Sequence, residues 1–188
     1  MFQLNRPLLD QIEYEGILYA VDMSFDNILD VFDVLEDDLS DADKLLAAMT
    51  ILIGVKAAKL SPADCLGLYQ VIMSNLVANG ESISQPVDLN GDPMPVAGES
   101  KGPQFSFKQD AEYIWVSFIQ AYHMDLHEEF GRLDWRKFLI MFRDLPSETK
   151  FKQVLSIRRW KPHKGDSNEA KKKMRELQAI YRLKLDDD

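Results

Sequence analysis

The sequence predicts a mainly α-helical protein of about six to seven helices with a small N-terminal β-hairpin. Three observations carry this. Apolar residues recur at helical spacing through most of the chain. Serine, proline and asparagine-glycine signals punctuate those runs where helices start and stop. Strand-like alternation is confined to one stretch near the N-terminus. The chain has 188 residues, 46% of them apolar. That is enough for one domain or two small ones, burying roughly 70% of the unfolded surface.

The alternating stretch is Gln11 to Val21. Ile12 and Tyr14 precede Glu15-Gly16, and Ile17, Tyr19 and Val21 follow, so Glu15-Gly16 is placed to turn a hairpin. A helix follows over Ser24–Glu36, with Phe25, Ile28, Leu29, Phe32 and Leu35 on one face. Asp26, Asp30, Asp33 and Asp37 share the same spacing on another face, an acidic stripe with no basic residue to offset it. Ser40-Asp41-Ala42-Asp43 has capping-box spacing and opens a helix carrying Leu45, Met49 and Leu52. Ser61-Pro62-Ala63-Asp64 opens the next, which buries Cys65, Leu66, Tyr69, Ile72, Met73 and Leu76 and ends at Asn79-Gly80.

Residues 79–104 hold four of the eight prolines and four of the nine glycines. A structureless stretch of that length is uncommon inside a compact domain. It reads as a loop over 81–104 between an acidic subdomain, 1–80, and a basic, aromatic-rich one, 105–188, or as part of one domain overall.

A long helix is expected over Lys108–Met124. Between Tyr113 and Ile119 only Ser117 is polar, so this helix is either central in a core or shared between core and partner. Asp134 is placed to cap a helix bearing Trp135, Phe138, Leu139 and Phe142. Pro146-Ser147 ends it and caps another bearing Phe151, Val154 and Leu155. After Pro162 and Gly165, Ser167 caps a last helix with Ala170, Met174, Leu177 and Tyr181 on one side and Lys171, Lys172, Lys173 and Arg175 on the rest.

Charge is polarised. Net charge is −9, yet residues 1–100 hold 17 acids and 4 bases, and residues 101–188 hold 14 acids and 18 bases. Between Asp10 and Asp43 there are 12 acids and no base; between Arg132 and Arg175 there are 14 bases and 5 acids. These are either two solvated faces or surfaces that attract each other, within one chain or head-to-tail between copies.

No catalytic constellation emerges. The sequence lacks a phosphate-cradling glycine loop, a dinucleotide fingerprint and a nucleophile elbow. Cys65 falls on an apolar helix face, where an inert thiol is expected. His123 and His127 stand four apart, but the intervening Met-Asp-Leu lacks the glutamate of a zinc hydrolase helix; two histidines at a helix C-terminus is the simpler reading. Asp88, Asn90, Asp92 and Glu99 fit four positions of a calcium loop, but Pro93 stands where the loop needs glycine. The chain is expected to be a non-enzyme without metal or cofactor. A single cysteine precludes an intramolecular disulfide and fits a reducing cytoplasm. No signal peptide opens residues 1–20, and no apolar run approaches the ~18 residues of a membrane helix. Arg158-Arg159-Trp160-Lys161 and the lysines of the last helix could contact phosphates, but the acidic half would repel the same backbone.

From residue 105 onward the residues also carry a family pattern. It runs through Phe105-Ser106-Phe107, Asp110-Ala111-Glu112-Tyr113-Ile114, Phe118-Ile119-Gln120-Ala121-Tyr122 and Asp125-Leu126. It continues through Leu133, Trp135, Lys137-Phe138, Leu145-Pro146 and Thr149-Lys150, and closes with Arg158, Trp160, Met174, Leu177 and Tyr181. In these residues the chain resembles the phage "gene product fifteen" family, with weaker similarity over Pro7-Leu8, the Gly16 hairpin and the helix after it. It departs from the family at His123, where a glycine is common, and at Trp135-Arg136, where paired tryptophans are common.

The resemblance implies a helical tail assembly chaperone that coats the tape-measure protein before the tail tube polymerises and is absent from the finished virion. Tape-measure protein, tail tube protein and further copies of the chain itself are the implied partners. A DNA-binding phage protein and a structural head–tail or tail-completion subunit are the alternatives. The residues expected to meet partners are Asp26, Asp30, Asp33 and Asp37 on the acidic stripe, Tyr113, Trp115 and Phe118 on the long helix, and Arg158, Arg159 and Trp160.

Overall fold

The computed structural model describes residues 4–77 and 104–184, and the fold is mainly helical with one small hairpin. The expected helix end at Asn79-Gly80, most of the loop over 81–104 and the calcium-like residues Asp88 to Glu99 lie outside the described residues. The described chain forms two units. One comprises residues 4–77 with Glu129–Arg143; the other comprises 104–128 with 144–184.

In the first unit, β1 (Gln11–Tyr14) and β2 (Ile17–Ala20) pair antiparallel with Tyr14 opposite Ile17. That register leaves a two-residue turn in which both Glu15 (φ 50) and Gly16 (φ 75) are left-handed. Such a turn matches the right-handed twist of the strands, and glycine at its second position removes half the strain.

Helix α1 (Phe25–Glu36) buries Phe25, Ile28 and Val31. Helix α2 (Asp41–Ile53) starts where the Ser40 hydroxyl accepts the Asp43 N–H, and buries Ala48, Met49 and Leu52. After a 3₁₀ segment, Gly54–Lys59, the Ser61 hydroxyl caps α3 (Pro62–Ile72) in the same way. The expected single helix from Ser61 changes character after Ile72: Met73–Val77 is a π-helical turn, still burying Leu76 and Val77.

Helix α5 (Trp135–Arg143) joins this unit from far along the chain. Two backbone bonds stitch its leading segment to residues 23–25: Phe25 N–H to the Leu133 carbonyl (2.8 Å) and Trp135 N–H to the Met23 carbonyl (2.7 Å). Asp134 caps α5 as expected, accepting the Arg136 N–H. Phe138 is the centre of an aromatic row, stacked on Phe25 (5.0 Å), Trp135 (5.5 Å) and Phe142 (5.8 Å).

The second unit is built on α4 (Ala111–Tyr122), α6 (Lys150–Arg159) and α7 (Asn168–Ile180). Its core holds Ile114 and Phe118 of α4 with Phe151, Val154 and Leu155 of α6. Helix α4 is shorter than expected at its start: residues 107–110 are a turn, and Asp110 takes the N-cap position. It ends at His123, which is left-handed (φ 52) with its N–H on the Ile119 carbonyl.

The cap expected from Ser147 is not formed. The Ser147 hydroxyl bonds Glu148, and α6 begins only after Thr149. Two α4 side chains satisfy its first N–H groups instead. Gln120 Oε1 accepts from Lys150 N–H (3.1 Å), and Ser117 Oγ accepts from Phe151 N–H (2.9 Å) while donating to the Tyr113 carbonyl. The one polar residue of the apolar α4 run is therefore the cap of its neighbour.

Candidate functional site

The residues expected to meet partners fall on two surfaces, one in each unit. The first is α1. Asp26 is half-buried and committed: its Oδ1 accepts the Gly131 N–H at 3.0 Å, helping to fix the segment that leads to α5. Asp30 and Asp33 are exposed. Partial burial, then the neighbouring charges of Asp26 and Asp33, push the Asp30 carboxyl above the usual range. The stripe repels itself. Asp37 leaves the stripe: the helix stops at Glu36, and Asp37 is extended with its Oδ1 on the Asp38 N–H. Two adjacent aspartates at the negative end of the helix dipole disfavour a further turn.

The second surface is α4, α6 and α7. Phe118 is fully buried, stacked edge-on to Tyr122 at 5.5 Å; it is core and offers a partner nothing in the folded chain. Trp115 is half-buried, with its indole N–H on Asp125 Oδ1 at 2.9 Å and its ring 5.7 Å from His127. That bond first, and the His127 N–H second, hold the Asp125 carboxyl below the ordinary aspartate range. The two histidines expected at the helix end are thus a left-handed cap, His123, and a partner of Asp125, His127. Among the described residues no group of three histidine, cysteine or acidic side chains could hold a metal.

Arg158 holds the floor of this surface. Its two terminal nitrogens fork onto both oxygens of the fully buried Asp110, at 2.7 and 2.6 Å. Its Nε donates to the Tyr181 carbonyl (2.5 Å), just beyond α7. Lys150 donates to the Tyr181 hydroxyl (2.7 Å) and lies over the Tyr181 and Tyr113 rings, which meet edge-on at 5.8 Å. Gln178 Nε2 lies within bonding distance of the Ile157, Arg158 and Trp160 carbonyls, the open end of α6. Arg159 is exposed and Trp160 half-buried. So the structure gathers Tyr113, Arg158 and Trp160 around α7, and leaves Trp115 to a local bond and Phe118 to the core.

The chain matches the family described as Bacteriophage Gp15 protein over residues 4–183. It belongs to that family. The match takes in both described units, so the N-terminal half is as much a part of the Gp15 protein as the region from residue 105. No curated protein and no solved structure matches the chain.

The fold also gives roles to His123 and Arg136, the two positions set apart against the expected family pattern. His123 occupies a left-handed cap, the conformation that glycine adopts without strain. Arg136 forks onto Asp134 and reaches the Asp10 carboxylate (2.6 Å) and the Leu9 carbonyl (3.1 Å). It pins the segment entering β1. Lys150, Gln178, Gln120 and Ser117 were not singled out as site residues by sequence, because their roles depend on a second helix being in place.

Among the described residues no helix is long and apolar enough to cross a membrane.

Proposed function

We propose that this Gp15 protein is a non-catalytic tail assembly chaperone that holds the tape-measure protein until the tail tube polymerises around it. The observation that carries the reading is family membership across nearly the whole chain, which makes it a phage protein. The surface of the second unit is compatible with the task. A tape-measure protein is a long helical chain with apolar faces, and a holder for it needs apolar and aromatic side chains near the surface. Tyr113, Trp115, Val116 and Ile119 of α4 are half-buried, shared between packing and solvent.

Self-association belongs to the same proposal. Asp30 and Asp33 on α1, and Lys172, Lys173 and Arg175 on α7, are exposed charges of opposite sign. Pairing them between copies gives a heterologous, open stack suited to an elongated client. Reversal of Asp30 and Asp33 to lysine is expected to lower the assembly size seen by light scattering; unchanged assembly at low salt would contradict the stack.

A chaperone acts in the host cytoplasm and leaves before the particle is finished. The protein is therefore expected in lysates of producing cells and not in purified particles. Stoichiometric presence in particles would replace this reading with that of a structural subunit. Salt-dependent retardation of duplex DNA would replace it with that of a nucleic-acid binder.

A further inference from the structure

Helix α7 contributes no buried side chain to the second unit. Its apolar stripe, Met174, Leu177 and the following Tyr181, is only half-buried, and Ile180 is 70% exposed. Polar grips hold it: Gln178 on the last carbonyls of α6, Arg158 Nε and Lys150 Nζ on Tyr181, and Gln109, which exchanges two bonds with the backbone of Lys184. The link from α6, residues 160–167, is non-helical, mostly exposed, and contains Pro162 and Gly165.

An element held by part-buried and exposed polar bonds, with little apolar burial, opens at lower free energy than the core of its unit. Here the floor survives opening. The Arg158–Asp110 fork and the Ser117 and Gln120 caps of α6 do not involve α7. Opening would free the α6 carbonyls, Lys150, the third arm of Arg158 and the Tyr113 ring together. That set already receives one amphipathic helix, and α7 shows what fits: apolar side chains at i, i+3 and i+7, an amide at i+4, and a basic outer face.

We infer that the groove between Tyr113 of α4 and the last turn of α6 is a helix-receiving site, and that α7 is its built-in, displaceable occupant. The external occupant is an amphipathic helix of the same pattern. The inference rests on the chaperone reading and deepens it: α7 closes the site until a client helix replaces it. A tethered occupant competes at high effective concentration, so it also keeps client binding weak enough to be reversed.

The test uses the full chain and a fluorescein-labelled peptide of residues 167–184. Peptide binding is followed by anisotropy, and opening of α7 by hydrogen exchange. The substitution Gln178→Ala in the chain is expected to speed exchange in α7 about tenfold, leave α4 and α6 protected, and tighten binding of the wild-type peptide by a similar factor. Apparent affinity scales with the fraction of open sites. A peptide itself carrying Gln178→Ala is expected to bind less well than the wild-type peptide.

Equal binding of the two peptides, or equal peptide affinity of the two chains, would overturn the inference. So would dimerisation of the variant chain by exchange of α7, which would make a second copy the occupant. Peptide capture without co-purification of the tape-measure protein would refute the chaperone reading and leave the groove standing. Co-purification without peptide capture would do the reverse.

Discussion

Asp110 is fully buried, and Arg158 answers it with a two-pronged bond. Removing one partner of such a pair strands a charge, which costs about 3–5 kcal/mol. Arg158→Ala is therefore expected to unfold the second unit at markedly lower denaturant. The pair exchange Asp110→Asn with Arg158→Met should cost less, because no charge is left behind. Denaturant melts of the three chains check this. In sequence Arg158 shows only as part of a basic cluster beside an indole; its fork onto the buried Asp110, which spacing alone does not report, is visible only in the fold.

His123 makes the opposite point. Its place at the end of α4 was legible in sequence, but its left-handed backbone geometry was not. A non-glycine residue in left-handed geometry is strained by about 1 kcal/mol, so His123→Gly is expected to raise stability by up to that amount in thermal or denaturant melts. Asp30 supplies a pH test. Its carboxyl is raised, so the folded chain binds its proton more readily than the unfolded chain, and stability falls as pH rises through that raised value. Asp30→Asn should give a small gain in Tm at pH 7 that disappears as pH drops below the carboxyl's range. A gain that grows toward acid pH would contradict the assignment.

Among the elements, helix starts were the most legible. The hydroxyls of Ser40, Ser61 and Ser167 each accept the N–H three residues on, as their spacing predicts. These are local rules, and local rules can be read along a chain. The start of α6 was misread because its cap is supplied by Ser117 and Gln120, about thirty positions away. Ser117→Ala removes that cap from a buried N–H and is expected to cost about 1–3 kcal/mol. Ser117→Thr, which keeps a hydroxyl, should lose less, as denaturant melts would show.

The hairpin was legible in its alternation, but its seat was not. The Tyr14 hydroxyl lies where a side chain on Gly67 of α3 would begin: a Cβ built there would stand 2.2 Å from it. Gly67→Ala is expected to lift Tyr14 and loosen the hairpin, seen as faster hydrogen exchange in β1 and β2. Tyr14→Phe in the same chain removes the closest atom and should restore part of the protection.

At the scale of the whole molecule, two facts stand out. A unit near the N-terminus recruits Glu129–Arg143 from the middle of the other unit's sequence, through the bridge between residues 23–25 and 133–135. Only a pairing partner more than a hundred positions away reveals that recruitment. The linear reading instead divided the chain at the loop over 81–104 and placed this segment in the later, basic subdomain. The charge polarity, by contrast, was fully legible by counting, and it leaves an acidic α1 and a basic α7 each facing solvent.

The proposed long helical client would give these features a common use. The most direct measurement is co-expression of this chain with the tape-measure protein of its own phage. The account predicts that the tape-measure protein stays in the soluble fraction and co-purifies with this chain. A tape-measure protein that remains insoluble, or that is soluble without ever co-purifying, would contradict it.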